Sequence, residues 1–141
     1  MIGSEIAREK GMDPPPAIEG KRQVLVVDDN RAVQDVLSRM ISFLGYDVTV
    51  AGNGLEGGTL FITGSYDLVI TDLQMPLMNG WELSRLVKER SPGTPVILVT
   101  GSYAERYWEK TGMNSVDAVM PKPFRLEEVE KTLQRLLNGA A

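Results

Sequence analysis

With 141 residues, 43% hydrophobic and 24% charged, the chain can bury one core of ordinary size and has little room for two. A formal net charge of -4 and a pI near 4.9 would repel a phosphate backbone, so direct nucleic-acid binding is not expected, and no apolar run approaches the roughly 20 residues of a membrane span. There is no His and no Cys, which removes disulfides and the commonest transition-metal and nucleophilic sites, leaves hard cations on oxygen ligands, and makes the cytoplasm the default compartment.

Residues 1–22 are polar, contain Pro14-Pro15-Pro16 and lack a sustained apolar period, which predicts a flexible tail or linker ahead of one domain over 23–138 and a short tail over 139–141. Val24-Leu25-Val26-Val27 is a β-branched-rich run suited to a strand covered on both faces, and it stops at Asp28-Asp29-Asn30. Asn30 can cap a helix in which Val33, Val36, Leu37, Met40, Ile41 and Leu44 recur at helical spacing, with Gly45 as its stop. Asp47 to Val50 reads as a short strand. Leu55 to Thr63 reads as a helix made irregular by Gly57-Gly58, because each glycine costs roughly 1 kcal/mol against alanine. Leu68-Val69-Ile70-Thr71 is another buried-type strand ending at Asp72, and Gly80 to Glu89 a helix closed by Ser91-Pro92-Gly93. Val96-Ile97-Leu98-Val99 repeats the strand pattern and ends at Thr100-Gly101. A fourth helix is predicted over 104–110, a short strand at Ala118-Val119-Met120, and a fifth helix carrying Leu126, Val129, Leu133, Leu136 and Leu137 on one face, after which no output domain is expected. Five strands alternating with five helices imply right-handed crossovers and a doubly wound α/β sandwich with a parallel sheet.

In open parallel sheets ligands bind beyond the carboxyl ends of the strands, which gathers Asp28, Asp29, Asp72, Thr100 and Lys122 into one crevice. Three converging carboxylates would drive one another toward protonation unless a divalent cation neutralised them, and Mg²⁺ suits oxygen ligands with phosphate oxygens completing its shell. Asp72 could then attack phosphorus to form an acyl phosphate, with the metal and the Lys122 ammonium absorbing charge and Thr100 bonding the product. Each residue also has a plainer reading: Asp28-Asp29 as a turn and cap pair, Asp72 as the start of a turn, Lys122 as a solvated lysine, Thr100 as a strand-end hydroxyl bonded to nearby backbone. Phe124 reads as core and Arg31 and Arg106 as solvated exterior.

Val-Val-Asp-Asp-Asn, Ile-Thr-Asp-Leu-Gln-Met-Pro, Val-Thr-Gly and Pro-Lys-Pro-Phe occur in order at these strand ends, and through them the chain from Gln23 to Asn138 resembles two-component response-regulator receiver domains. The resemblance implies a flavodoxin-like fold with a five-stranded parallel sheet of order 2-1-3-4-5 flanked by five helices. It makes Asp72 the phosphoacceptor, has Asp29, Asp72 and the backbone carbonyl of Gln74 hold Mg²⁺ with Asp28 acting mostly through water, and gives Lys122 the phosphate and Thr100 the switch. It implies a cis Lys122–Pro123 peptide. The phosphoryl donor would be a sensor histidine kinase or a histidine phosphotransfer protein, the output an unidentified downstream protein at the surface of the fourth helix, fifth strand and fifth helix, with a homodimer through that surface as one arrangement. The chain would be a switch with at most weak self-phosphorylation and autodephosphorylation, not an enzyme.

The sequence departs from the family at Val119, where an aromatic residue is usual, so the expectation is that Tyr103, Tyr107 and Trp108 read out Thr100 instead, while Gln74 and Ser102 tune hydrolysis. Two other classes stay open: a pseudo-receiver that signals by contact alone, and an aspartyl-phosphate hydrolase, although that class places Asp-x-Asp after its first strand where this chain has Asp28-Asp29-Asn30. A dinucleotide enzyme is weaker, since the first turn lacks Gly-x-Gly-x-x-Gly.

Overall fold

The runs rich in Val, Ile and Leu form the strands of one sheet in the computed structural model, which describes residues 20–101 and 115–138. The strands are β1 (Gln23–Val27), β2 (Asp47–Ala51), β3 (Leu68–Asp72), β4 (Val96–Thr100) and β5 (Ala118–Pro121). They lie in the order β2-β1-β3-β4-β5, and every pair is parallel. Every residue of β1, β3 and β4 is buried, as expected where helices cover both faces. Four helices lie within the described residues: α1 (Arg31–Phe43), α2 (Gly54–Thr63), α3 (Gly80–Arg90) and α4 (Leu126–Leu137). The helix predicted over 104–110, with Tyr103, Tyr107 and Trp108, lies outside them, as do Ser102, Arg106, residues 1–19 and the tail 139–141.

Alternate side chains of each strand feed opposite cores. On one face Val24, Val26, Ile70 and Val99 meet Leu37 and Ile41 of α1 and Val129 and Leu133 of α4, with Phe124 packed against them. On the other, Leu25, Val27 and Val69 meet Phe61 of α2 and Leu83 and Val87 of α3. Each such side chain contributes roughly 1.5–3 kcal/mol by leaving water.

Three expectations are corrected by this packing. The Gly57-Gly58 pair does not disturb α2, which runs unbroken for 10 residues. A Cβ on Gly57 would lie 2.8 Å from Cγ2 of Val27, so that glycine is what lets α2 settle on β1. Val36, placed by spacing on the buried stripe of α1, is 44% exposed, and Leu126 at the start of α4 is 37% exposed. Both sit at the edge of a helical face whose centre is set by Leu37 and Ile41 in one case and Val129 and Leu133 in the other.

The strand order fixes where a ligand can enter. From β1 the chain crosses to β2 on one side, and from β2 it returns past β1 to β3 on the other, so the crevice opens beyond the carboxyl ends of β1 and β3. Asp28 follows β1 directly, and Asp72 is the last residue of β3.

Candidate functional site

The crevice brings together the carboxylates expected there. Asp28, Asp29 and Asp72 each offer an oxygen, and these three atoms lie within 4.8 Å of one another. Asp28 and Asp72 are both buried, while Asp29 is exposed. Lys122 follows β5 and arrives through a cis Lys122–Pro123 peptide. Its Nζ stands 3.4 Å from Oδ1 of Asp72 and 3.6 Å from Oδ2 of Asp28. Among the described residues, one ammonium is thus paired with two of the three clustered carboxylates. Like charges about 5 Å apart repel by roughly 3 kcal/mol at an effective dielectric constant of 20, so the deficit is substantial.

Burial lifts the Asp72 carboxyl above its ordinary range, the Asp28 charge lifts it further, and Lys122 opposes both. Burial also lifts Asp28, against the Asn30 backbone N–H and Lys122, which favour its charged form. Asp28 is otherwise nearly fully committed. Its N–H donates to the Ala51 carbonyl at 3.1 Å, its carbonyl accepts from Nε2 of Gln34 at 2.6 Å, and its Oδ1 accepts from the Asn30 N–H at 2.8 Å. Oδ2 is buried with no hydrogen-bond partner, and the Lys122 ammonium reaches it only as a 3.6 Å ion pair. A buried carboxylate oxygen left in that state costs free energy unless a cation or an ordered water meets it. The oxygen-only donor set, an Oδ2 met only by a long ion pair with Lys122 and the two raised carboxyls together fit a hard divalent cation such as Mg²⁺.

The far end of the sheet provides the contrast. There Asp67 accepts from the Gln23 N–H at 2.7 Å, and Asp117 accepts from the Val96 N–H at 2.7 Å while paired with Lys88 at 2.7 Å. These carboxylates tie down strand starts. Those at the carboxyl ends are held in place but leave oxygens free.

Close backbone approach fixes the walls. A Cβ on Gly80 would come within 2.3 Å of the Asp72 carbonyl oxygen, and the Gly80 N–H donates to the Leu73 carbonyl at 2.9 Å, so α3 starts against the backbone that carries Asp72. Its start is closed by a capping box between Asn79 and Glu82. Gln74 lies exposed in the loop between β3 and α3. Thr100 ends β4 and is buried, its Oγ1 donating to the Gly101 carbonyl at 3.0 Å. The structure therefore places it at the neighbouring strand end, bonded to nearby backbone. Val119 is half-buried against a cluster of Trp81, Leu98 and Val116. Two contributors were missed from sequence: Gly80, read only as turn and helix start, and Gln34, whose partner is a main-chain carbonyl that no motif announces.

Fold and site define a parallel α/β module with an acidic pocket beyond the carboxyl ends of β1 and β3, and comparison with known proteins assigns its family. The chain belongs to the response regulator receiver domain family, whose model matches residues 24–134. It is 31% identical over 119 residues to the transcriptional regulatory protein CusR of Escherichia coli strain K12, covering 84% of this chain and 52% of that protein. It is 36% identical over 119 residues to the response regulator MprA of Mycobacterium sp. strain KMS, covering 82% of this chain and 50% of that protein. The chain thus spans about half the length of these curated relatives. Among solved structures, the receiver domain of Francisella response regulator 1452 superposes with a TM-score of 0.77 at 26% identity, covering 86% of this chain and 100% of that one. No helix among the described residues is long and apolar enough to cross a membrane.

Proposed function

We propose that this receiver domain accepts a phosphoryl group onto Asp72 from the phosphohistidine of a sensor kinase or histidine phosphotransfer protein, and that the phosphorylated form engages a downstream partner in the cytoplasm. The observation that carries the reading is the meeting of Asp28, Asp29 and Asp72 within 4.8 Å, with Lys122 3.4 Å from Asp72. Asp29, Asp72 and the Gln74 carbonyl would hold Mg²⁺, with Asp28 acting through water; when bound, the ion supplies charge neutralisation on the transferring oxygens.

An Asp72 oxygen attacks phosphorus in line, the phosphorus–nitrogen bond to the imidazole breaks, and an acyl phosphate forms while the imidazole leaves with the bonding pair. Lys122 follows the new phosphoryl oxygens, exchanging its contact with Asp72 for one to phosphate. Thr100 turns its hydroxyl from Gly101 toward the phosphoryl group, and β5 with the helix that follows it carries the change outward. The domain is a switch with weak self-phosphorylation and autodephosphorylation, not a dedicated enzyme.

Incubation with acetyl phosphate and Mg²⁺ followed by intact-mass measurement tests this. A single phosphoryl adduct that needs the metal and is lost in Asp72→Ala is expected. No adduct, together with no binding of beryllofluoride, would instead mark a module that signals by contact alone.

A further inference from the structure

We infer that Gln34 is a positioning residue for the acidic pocket, one whose side-chain amide sets the direction of both Asp28 and Asp29 toward a bound cation. The inference rests on reading that pocket as a divalent-cation site.

The Asp28–Asp29 peptide carries one carboxylate on each side, so its orientation governs where both point. Its carbonyl is held by Nε2 of Gln34 at 2.6 Å. Among the described residues no side-chain hydrogen bond holds Asp29, so the peptide to which it is attached is its main restraint. Asp28 is gripped from its other groups by Ala51 and Asn30, which leaves Oδ2, in a 3.6 Å ion pair with Lys122, as the oxygen that a ligand can take.

Gln34 is well placed to act as a fixed strut. It sits in the first turns of α1, where its own N–H donates to the Asn30 carbonyl at 3.0 Å, and Asn30 caps the helix by accepting from the Val33 N–H at 3.2 Å. Its side chain is half-buried and passes Gly52, where an added Cβ would lie 3.8 Å from Nε2 and 3.7 Å from Oε1 of Glu56. The amide is the chemically suited group: a carboxylate would set acceptor against acceptor, and an ammonium or guanidinium would add positive charge beside a cation site. Groups that orient a metal's ligands without touching the metal commonly control its affinity by about 10–100-fold.

The test is a titration of the full chain with Mn²⁺ alone, read by the electron paramagnetic resonance of the free ion. Gln34→Met, close in size but without a donor, is expected to weaken binding about tenfold. Gln34→Asn, polar but one methylene short, is the second variant and should lose as much. Melting in EDTA verifies that each is folded. In an Asp28→Asn, Asp29→Asn background, where both carboxylates being positioned are gone, Gln34→Met should change the residual affinity by less than about twofold. Wild-type affinity in both Gln34 variants would overturn the inference, as would the same tenfold loss in the Asp28→Asn, Asp29→Asn background, which would mark a general loosening. A wild-type chain that fails to bind Mn²⁺, or binds unchanged after Asp29→Asn, would instead remove the cation site itself and the inference with it.

Discussion

At Asp28 and Asp72, burial opposes the charge that the pocket needs, and Lys122 is the cation that ion-pairs with both among the described residues. Substitutions here should therefore move metal-free stability in opposite directions. Lys122→Met strips the compensation and is expected to lower stability at neutral pH by about 1–2 kcal/mol, less than a fully buried pair because the ammonium is partly solvated. Asp28→Asn removes one of the repelling charges and is expected to raise stability by on the order of 1 kcal/mol. Urea unfolding in EDTA measures both, and a loss of stability in Asp28→Asn would show that the charged form of Asp28 holds the metal-free fold together. The carboxylates were legible in the sequence because each follows a strand recognisable by its own pattern. Gln34 was not, because a side chain that reaches a main-chain carbonyl six residues back through a helix turn leaves no spacing signature.

At the scale of elements, the strands could be read because a stretch covered on both faces is apolar at successive positions, as 24–27 of β1, 68–70 of β3 and 96–99 of β4 are. Helix α2 was misjudged because intrinsic propensity speaks only of the isolated helix. Its two central glycines do different things. Gly57 faces β1, and a methyl there would press on Val27 at 2.8 and 3.0 Å, whereas one on Gly58 would meet only Leu86 at 3.5 Å and Leu83 at 3.9 Å, ordinary contact. Gly57→Ala should therefore destabilise by about 1–3 kcal/mol in spite of its better propensity. Gly58→Ala should stabilise by up to about 1 kcal/mol. Paired thermal melts of the two variants decide it, and equal shifts of the same sign would mean that α2 can move off the sheet without cost. The exposed Val36 teaches the same lesson in reverse, since a helical period marks a stripe but not which of its edges the sheet covers.

For the whole molecule, the two ends of the sheet divide the work of carboxylates. Asp67 and Asp117 are bound into the framework at the strand starts, while the carboxyl ends gather charge the framework does not satisfy. A proton and a cation bound there would then compete for the same oxygens. Asp28 and Asp72 are both raised in the fold, so between the unfolded carboxylate value near 3.9 and their folded values the native chain holds more protons than the unfolded one. Their contribution to stability is accordingly full below the unfolded value and is lost as pH rises through the folded values. On the proposed reading a divalent cation would bind the deprotonated pocket and pull these groups back toward ionisation, so Mg²⁺ should stabilise strongly at pH 7.5 and little at pH 4. At a hundredfold excess over its dissociation constant the gain would be about 2.7 kcal/mol. Melting curves at the two pH values, with Mg²⁺ and with EDTA, give the increment directly. Comparing them with a chain carrying Asp28→Asn and Asp72→Asn subtracts the titration of every other carboxylate. An increment equal at both pH values, or one that survives in the doubly substituted chain, would place the ion elsewhere than beyond the carboxyl ends of β1 and β3.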